Sequence, residues 1–140
     1  RDKIFILTFN RDEVRNAMNM KMKHEIFDAM KRFEADDDLW VGTAHGLARR
    51  EASGRWIRYT PTSTEGGLRS EDIIDLYMDP AGTLWLTTAA GLSSRTANAD
   101  WSYLDISGVR RAYPESDEVI WLGGQGGLYR VERRALVPVP

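Results

Sequence analysis

Leu39-Trp40-Val41-Gly42-Thr43, followed by Gly46-Leu47, decides the reading of this chain. The pattern returns as Leu84-Trp85-Leu86-Thr87-Thr88 with Gly91-Leu92, and again as Ile120-Trp121-Leu122-Gly123-Gly124 with Gly127-Leu128. In all three copies the Trp stands six residues before the Gly of the Gly-Leu pair. An apolar run of β-branched and aromatic residues, a short polar break and a second run beginning at Gly is a strand, a tight turn and a strand.

Working outward, Trp40 to Trp85 and Trp56 to Trp101 are both 45 residues, while Trp85 to Trp121 is 36. A period of about 40–45 residues carrying several short strands is the signature of a propeller blade. The strands expected are Leu39 to Thr43, Gly46 to Arg50 and Trp56 to Tyr59 in the first unit. After a loop from Thr60 to Ser70 come Ile73 to Met78, Leu84 to Thr88, Leu92 to Arg95 and Trp101 to Ile106 in the second. Val109 to Tyr113, Val119 to Gly123 and Leu128 to Glu132 make the third. Asp79-Pro80-Ala81-Gly82 is a tight turn, and residues 133–140 read as a Pro-containing tail or an incomplete last strand. Blades bury their faces on one another, and a closed ring needs about four or more. Two and a half blades therefore imply association with further copies, a larger parent, or an open sheet packed on the N-terminal segment.

Composition sets wide bounds. The 140 residues suit one domain with a real core. A formal charge of −2 gives no electrostatic reason to expect nucleic acid or an anionic membrane. There is no Cys, which excludes disulfides and Cys-based metal sites. No apolar run approaches the roughly 20 residues of a membrane helix, and the apolar stretch after Arg1 is too short for a secretory signal. A chain beginning at Arg1 reads as a processed product or an excerpt.

The residue usage breaks at position 39. All four Lys and all four Phe precede it, whereas all five Trp, all five Tyr, all twelve Gly and all five Pro follow it. A helix excludes Gly and Pro, but that does not explain the exchange of Lys for Arg. The division expected is residues 1–38 and residues 39–140, with two origins in one chain. In the first part Ile4 to Phe9 reads as a buried strand. Met22, Ile26, Ala29, Met30 and Phe33 then form one face of an amphipathic helix capped at Asn19. The fold class expected is thus mainly β with one α-helix, an α+β arrangement: antiparallel propeller-type repeats preceded by a strand-helix unit.

Two resemblances follow from these residues. LWVGTAHGL, LWLTTAAGL, IWLGGQGGL and DIIDLYMDPAGTLWLTT resemble the repeats of the two-component regulator propeller family. That resemblance implies sensor blades outside the membrane, in front of kinases that respond to carbohydrates. ILTFNRDEVRNAMNMKMKHEIFDAMKRFEADDDLWVG resembles the opening of the crotonase (enoyl-CoA hydratase) family, with Arg11, Asn16 and Ala17 at matching turn positions and Asp12 in place of the usual Pro. It implies an acyl-CoA-binding, cytoplasmic relative, or a chimera of the two families. The oxyanion-hole amides and acid/base carboxylates of that family are not identifiable here, so no catalytic residue is carried over.

Residues with chemical potential are few. Gly123-Gly124-Gln125-Gly126-Gly127 could suggest a phosphate loop, but a strand rather than a helix follows it, and its two counterparts are hairpins. His24 and His45 have no companions at metal-ligand spacing. Glu71, Asp72 and Asp75 could pass for paired acids, or for solvated strand-edge carboxylates. Trp56, Arg58, Tyr59, Arg69 and Tyr103 could stack and ion-pair with an acidic sugar, or simply pack between blades. In a propeller the hairpin between the second and third strands and the loop between blades open on one face. That would gather His45, Thr64, Glu65, Arg69 and Gln125 as a ligand surface. The function expected is a non-enzymatic, ligand-sensing blade module without metal or cofactor. Its partners would be a second copy, the rest of a larger sensor, or a carbohydrate. The alternative is an acyl-CoA-binding crotonase relative.

Overall fold

The structure, a computed structural model, describes residues 4–6 and 38–140. Three sheets follow one another along the chain. The first has β1 (Ile4–Ile6), β2 (Asp38–Thr43), β3 (Gly46–Glu51) and β4 (Trp56–Tyr59) in that order. The second is built from β5 (Ile73–Met78), β6 (Leu84–Thr88), β7 (Gly91–Arg95) and β8 (Trp101–Leu104), and the third from β9 (Val109–Pro114), β10 (Val119–Gly124) and β11 (Gly127–Glu132). The hairpin-linked strands within each sheet pair antiparallel, as they must; β1 and β2 are parallel, with Ile4 opposite Asp38 and Ile6 opposite Trp40. So β2 pairs on both edges, with β1 and with β3.

The expected α+β class is corrected. Among the described residues the regular structure is strand apart from a three-residue 3₁₀ turn, Arg133–Ala135. High Trp, Tyr, Val and Ile content with a Gly or Asp at each chain reversal favours pleated strands over helix. The expected helix through Met22 and Phe33, His24 and the crotonase-like turn lie outside the described residues, as does the strand beyond Ile6.

The three Trp residues occupy one position. Trp40 faces Arg49, Trp85 faces Ser94 and Trp121 faces Arg130, in each case the third residue after the hairpin Gly. The turns themselves are two residues long, and the positive backbone angle falls on the Gly after them: φ is 129° at Gly46, 146° at Gly91 and 113° at Gly127. An L side chain is strained there, which is why Gly recurs at that spacing. Thr closes the first two turns from the other side. Thr43 Oγ1 donates to Gly46 O at 3.2 Å and Thr88 Oγ1 to Gly91 O at 3.0 Å. The third copy has Gly124 instead.

Side-chain alternation turns each sheet into a two-sided plate. One side of the first sheet brings Trp40, Leu47 and Tyr59 against Ile73, Leu76, Leu84 and Leu86 of the second, with Leu68 from the connecting loop between them. The next interface repeats it: Trp85 and Leu92, with Leu104, meet Val109, Ala112, Ile120 and Leu122 of the third sheet. Each interface Trp also lies under a guanidinium from further along the chain, Arg95 in β7 and Arg133 in the 3₁₀ turn after β11. Arg95 Cζ is 5.3 Å from the Trp40 ring and Arg133 Cζ is 4.8 Å from the Trp85 ring. Burying each such aliphatic side chain is worth roughly 1.5–3 kcal/mol, so the two interfaces hold the stack together.

The C-terminal segment does not complete the third sheet. The fourth strands start at Trp56 and Trp101, each ten residues after its hairpin Gly, and Val137 stands at that distance from Gly127. Yet β12 (Val137–Pro138) pairs with β8, on the outer edge of the second sheet. Pro138 and Pro140 have no amide to donate, so only one edge of Val-Pro-Val-Pro can pair. That edge is used: Val139 N donates to Trp101 O at 2.9 Å.

Candidate functional site

The loop from Thr60 to Ser70 is built by its own hydroxyls. Thr60 N donates to Ser63 Oγ at 2.8 Å and Ser63 N to Thr60 Oγ1 at 3.1 Å, a reciprocal cap that starts a tight turn. Thr64 Oγ1 donates to Thr60 O at 2.9 Å and accepts from Leu68 N at 2.9 Å. Thr64 is therefore a buried brace, and its hydroxyl is spent on the loop. Glu65, with a positive φ of 53°, is lifted to the exposed tip. Leu68 drops into the core of the first interface.

Arg69 is fastened on four sides. Its amide donates to the buried Ser93 Oγ at 3.1 Å and Nε donates to Asp105 Oδ1 at 2.7 Å. One terminal nitrogen reaches Gly66 O at 3.4 Å, and Cζ lies 4.2 Å from the Tyr103 ring. The guanidinium is thus a pre-set platform rather than a free arm. His45 sits exposed on the first hairpin, its amide donating to Thr43 Oγ1 at 3.0 Å. Arg58 links that hairpin to the inter-blade loop, donating to His45 O at 3.0 Å and to Glu71 Oε2 at 3.3 Å.

Ala89 N donates to Asp72 O at 3.1 Å and Gln125 N to Gly108 O at 3.0 Å, so the second and third hairpin tips lie against the starts of β5 and β9. Of the five expected residues, Thr64, Glu65 and Arg69 share one loop, and His45 joins them through Arg58 and Glu71. Gln125 keeps to the third blade beside Gly108. Arg58, Glu71, Asp105 and Ser93 complete the constellation. Arg58 was legible as part of the Arg-rich strand, whereas Ser93, 24 residues from Arg69, carried no local signal.

The remaining chemistry is structural. Burial pushes the Asp75 carboxyl above its ordinary range, against the Leu76 amide and Arg111, whose Nε is 4.0 Å away. Its neighbour is a guanidinium and not a second carboxylate, so the paired-acid reading gains nothing. Tyr59 stacks on Trp40 at 5.3 Å between centroids and tilts against Trp101 at 5.9 Å, which is packing rather than a sugar shelf. Among the described residues no group of three or more His, Asp or Glu stands together as a metal site.

Compared with known families, residues 67–90 match the family described as "Two component regulator propeller". The matched stretch runs from Gly67 through β5 and the Asp79 turn to β6 and its hairpin. Together with the antiparallel sheets it supports propeller-type repeats. No curated protein matches the chain, and no solved structure does. Nothing in these comparisons supports the crotonase resemblance or a chimeric origin.

Proposed function

We propose that this chain is a non-catalytic recognition module made of propeller-type blades, which binds a small acidic carbohydrate on its hairpin-and-loop face. The observation that carries the reading is the fixed Arg69–Tyr103 platform, flanked by exposed His45 and Glu65 and by the Arg58–Glu71 pair. A planar guanidinium suits a sugar carboxylate, and exposed polar side chains on rigid hairpins suit hydroxyl recognition. Gln125 extends the same face onto the third blade. The module works without a cofactor, as part of a larger sensor or beside a second copy. Nothing on the described residues favours the acyl-CoA alternative.

Isothermal titration with uronic-acid oligosaccharides tests this. Asp105→Ala, which frees Arg69, and His45→Ala should each weaken binding about tenfold, with an unchanged far-UV spectrum. Absence of heat at millimolar sugar, or binding that neither substitution alters, would overturn the reading.

A further inference from the structure

The C-terminal strand docks on the strand that carries the candidate site. β8 touches the Thr60–Ser70 loop at several points. Gly67 lies so close to Trp101 that a Cβ there would meet Trp101 Cβ at 2.5 Å. Two residues on, the Tyr103 ring lies 4.2 Å from Arg69 Cζ, and just past the strand Asp105 Oδ1 accepts from Arg69 Nε at 2.7 Å. β12 takes the other edge of β8, with Val137 opposite Tyr103, Pro138 opposite Ser102, and Val139 N donating to Trp101 O. One cross-strand row therefore runs Ser93, Tyr103, Val137. Residues opposite one another in a sheet share a face, with Cβ atoms about 4.5–5.5 Å apart. Ser93 accepts the Arg69 amide, Tyr103 carries its guanidinium, and Val137 stands at the outer end of the row. The docking is slight: β12 has two residues and Val137 is 46% exposed. A strand of that kind opens far more readily than the sheet beneath it. The 3₁₀ turn before it is anchored separately, through Arg133 to Asp79 and to Glu118 O.

We propose that Val137 is a positioning residue for Arg69, and that docking of the C-terminal strand regulates the ligand face. With the strand docked, β8 is paired on both edges, and Tyr103 has a neighbour on each side in its row. With the strand released, β8 becomes an edge, the Trp101 carbonyl loses its partner, and Tyr103 loses Val137. The Arg69 fork then rests on a ring with one side open. A ligand that needs the fork in its set position binds the docked state better, and by linkage it tightens the strand in return. Pro138 and Pro140 confine the pairing to β8, because the far edge of β12 has no amide to donate at either residue.

The regulation rests on the ligand reading above; the linkage within the sheet does not, and amide hydrogen exchange on the full chain tests it without sugar. Where exchange reports the opening equilibrium, the Val139 amide should exchange about fivefold faster in Asp105→Ala and in Arg69→Ala than in the unaltered chain. Arg55→Ala, at an exposed ion pair of the first sheet, should leave it unchanged. Saturating uronic-acid oligosaccharide should slow the same amide about fivefold. Val137→Gly should weaken sugar binding about fivefold, and Val137→Ile should keep the original affinity. A strand that only adds stability would move neither the affinity nor the sugar-dependent exchange. Val139 exchange indifferent to both Asp105→Ala and Arg69→Ala overturns the proposal, as does sugar binding indifferent to Val137→Gly. A Val139 amide that responds to Asp105→Ala in a chain that binds no uronic acid overturns the ligand reading and leaves the linkage standing.

Discussion

At the scale of single residues, two carboxylates on neighbouring elements are driven in opposite directions. Asp79 is buried, which alone would raise its pKa. The Trp85 indole at 3.0 Å, the Thr83 amide at 2.9 Å and Arg133 at 3.1 Å outweigh that and hold it below its ordinary 3.8. A depressed carboxylate stabilises the fold fully above its unfolded pKa, and that contribution is lost as pH falls through the lower folded value. Asp75 has the reverse sign. Burial raises it above 3.8, so its ionisation opposes folding at neutral pH, and the opposition is relieved as pH falls through the raised value. Asp75→Asn is therefore expected to raise the thermal midpoint at neutral pH, with the gain vanishing below pH 3.8. Melting curves across that range check it, and an equal gain at every pH would contradict it. None of this was legible in the sequence, where Glu71, Asp72 and Asp75 read as paired acids or as solvated strand-edge carboxylates. The structure gives them different surroundings: Glu71 pairs with Arg58, Asp72 is exposed, and Asp75 is partly buried within β5.

At the scale of elements, strand placement was readable because each strand carries its own signals. The Trp-to-Gly spacing located β2 with β3, β6 with β7 and β10 with β11, within a residue or so at each end. The C-terminal segment was not readable in this way. Its partner is chosen by which amides the two Pro residues leave, and by Arg133, which reaches back 54 residues to Asp79. Arg133 lies over the Trp85 ring and Leu136 packs at the second interface, so the segment clasps the third sheet to the second. A double-mutant cycle measures the clasp. Asp79→Ala is expected to cost about 1.5–3 kcal/mol because it removes a charge-assisted hydrogen bond from the part-buried Arg133 guanidinium and uncaps a turn. Adding Arg133→Ala should cost less than its own separate effect, with a coupling of about 0.5–3 kcal/mol by denaturant unfolding. Strict additivity would mean the contact is idle. The loop of the candidate site shows the same limit. Thr64 reads as an accessible polar residue, but back-bonding to Thr60 and Leu68 is decided by the turn conformation and not by composition.

At the scale of the whole molecule, three Trp-centred sheets stack through two like interfaces, and the outer face of the third is open. Period and motif made the stacking legible; the helix-containing class expected for the chain did not survive on the described residues, whose strands are set by cross-strand packing. What the sequence could not show is the difference between equivalent positions, since Leu47, Leu92 and Leu128 are one letter in two burial states, the first two fully buried and the third mostly exposed. Gly42 and Gly123 turn that difference into a measurement. Both occupy the same place after the Trp, and neither has a positive φ, so Ala is free of backbone strain at either. Thermal and urea unfolding of Gly42→Ala and Gly123→Ala at low micromolar concentration tests the stacked-blade account most directly. The account predicts a loss of about 1–3 kcal/mol for Gly42→Ala, from overpacking against Ile73. For Gly123→Ala it predicts no loss, or a gain of about 0.4–1 kcal/mol from a stiffer unfolded chain. Equal effects at the two positions would contradict it.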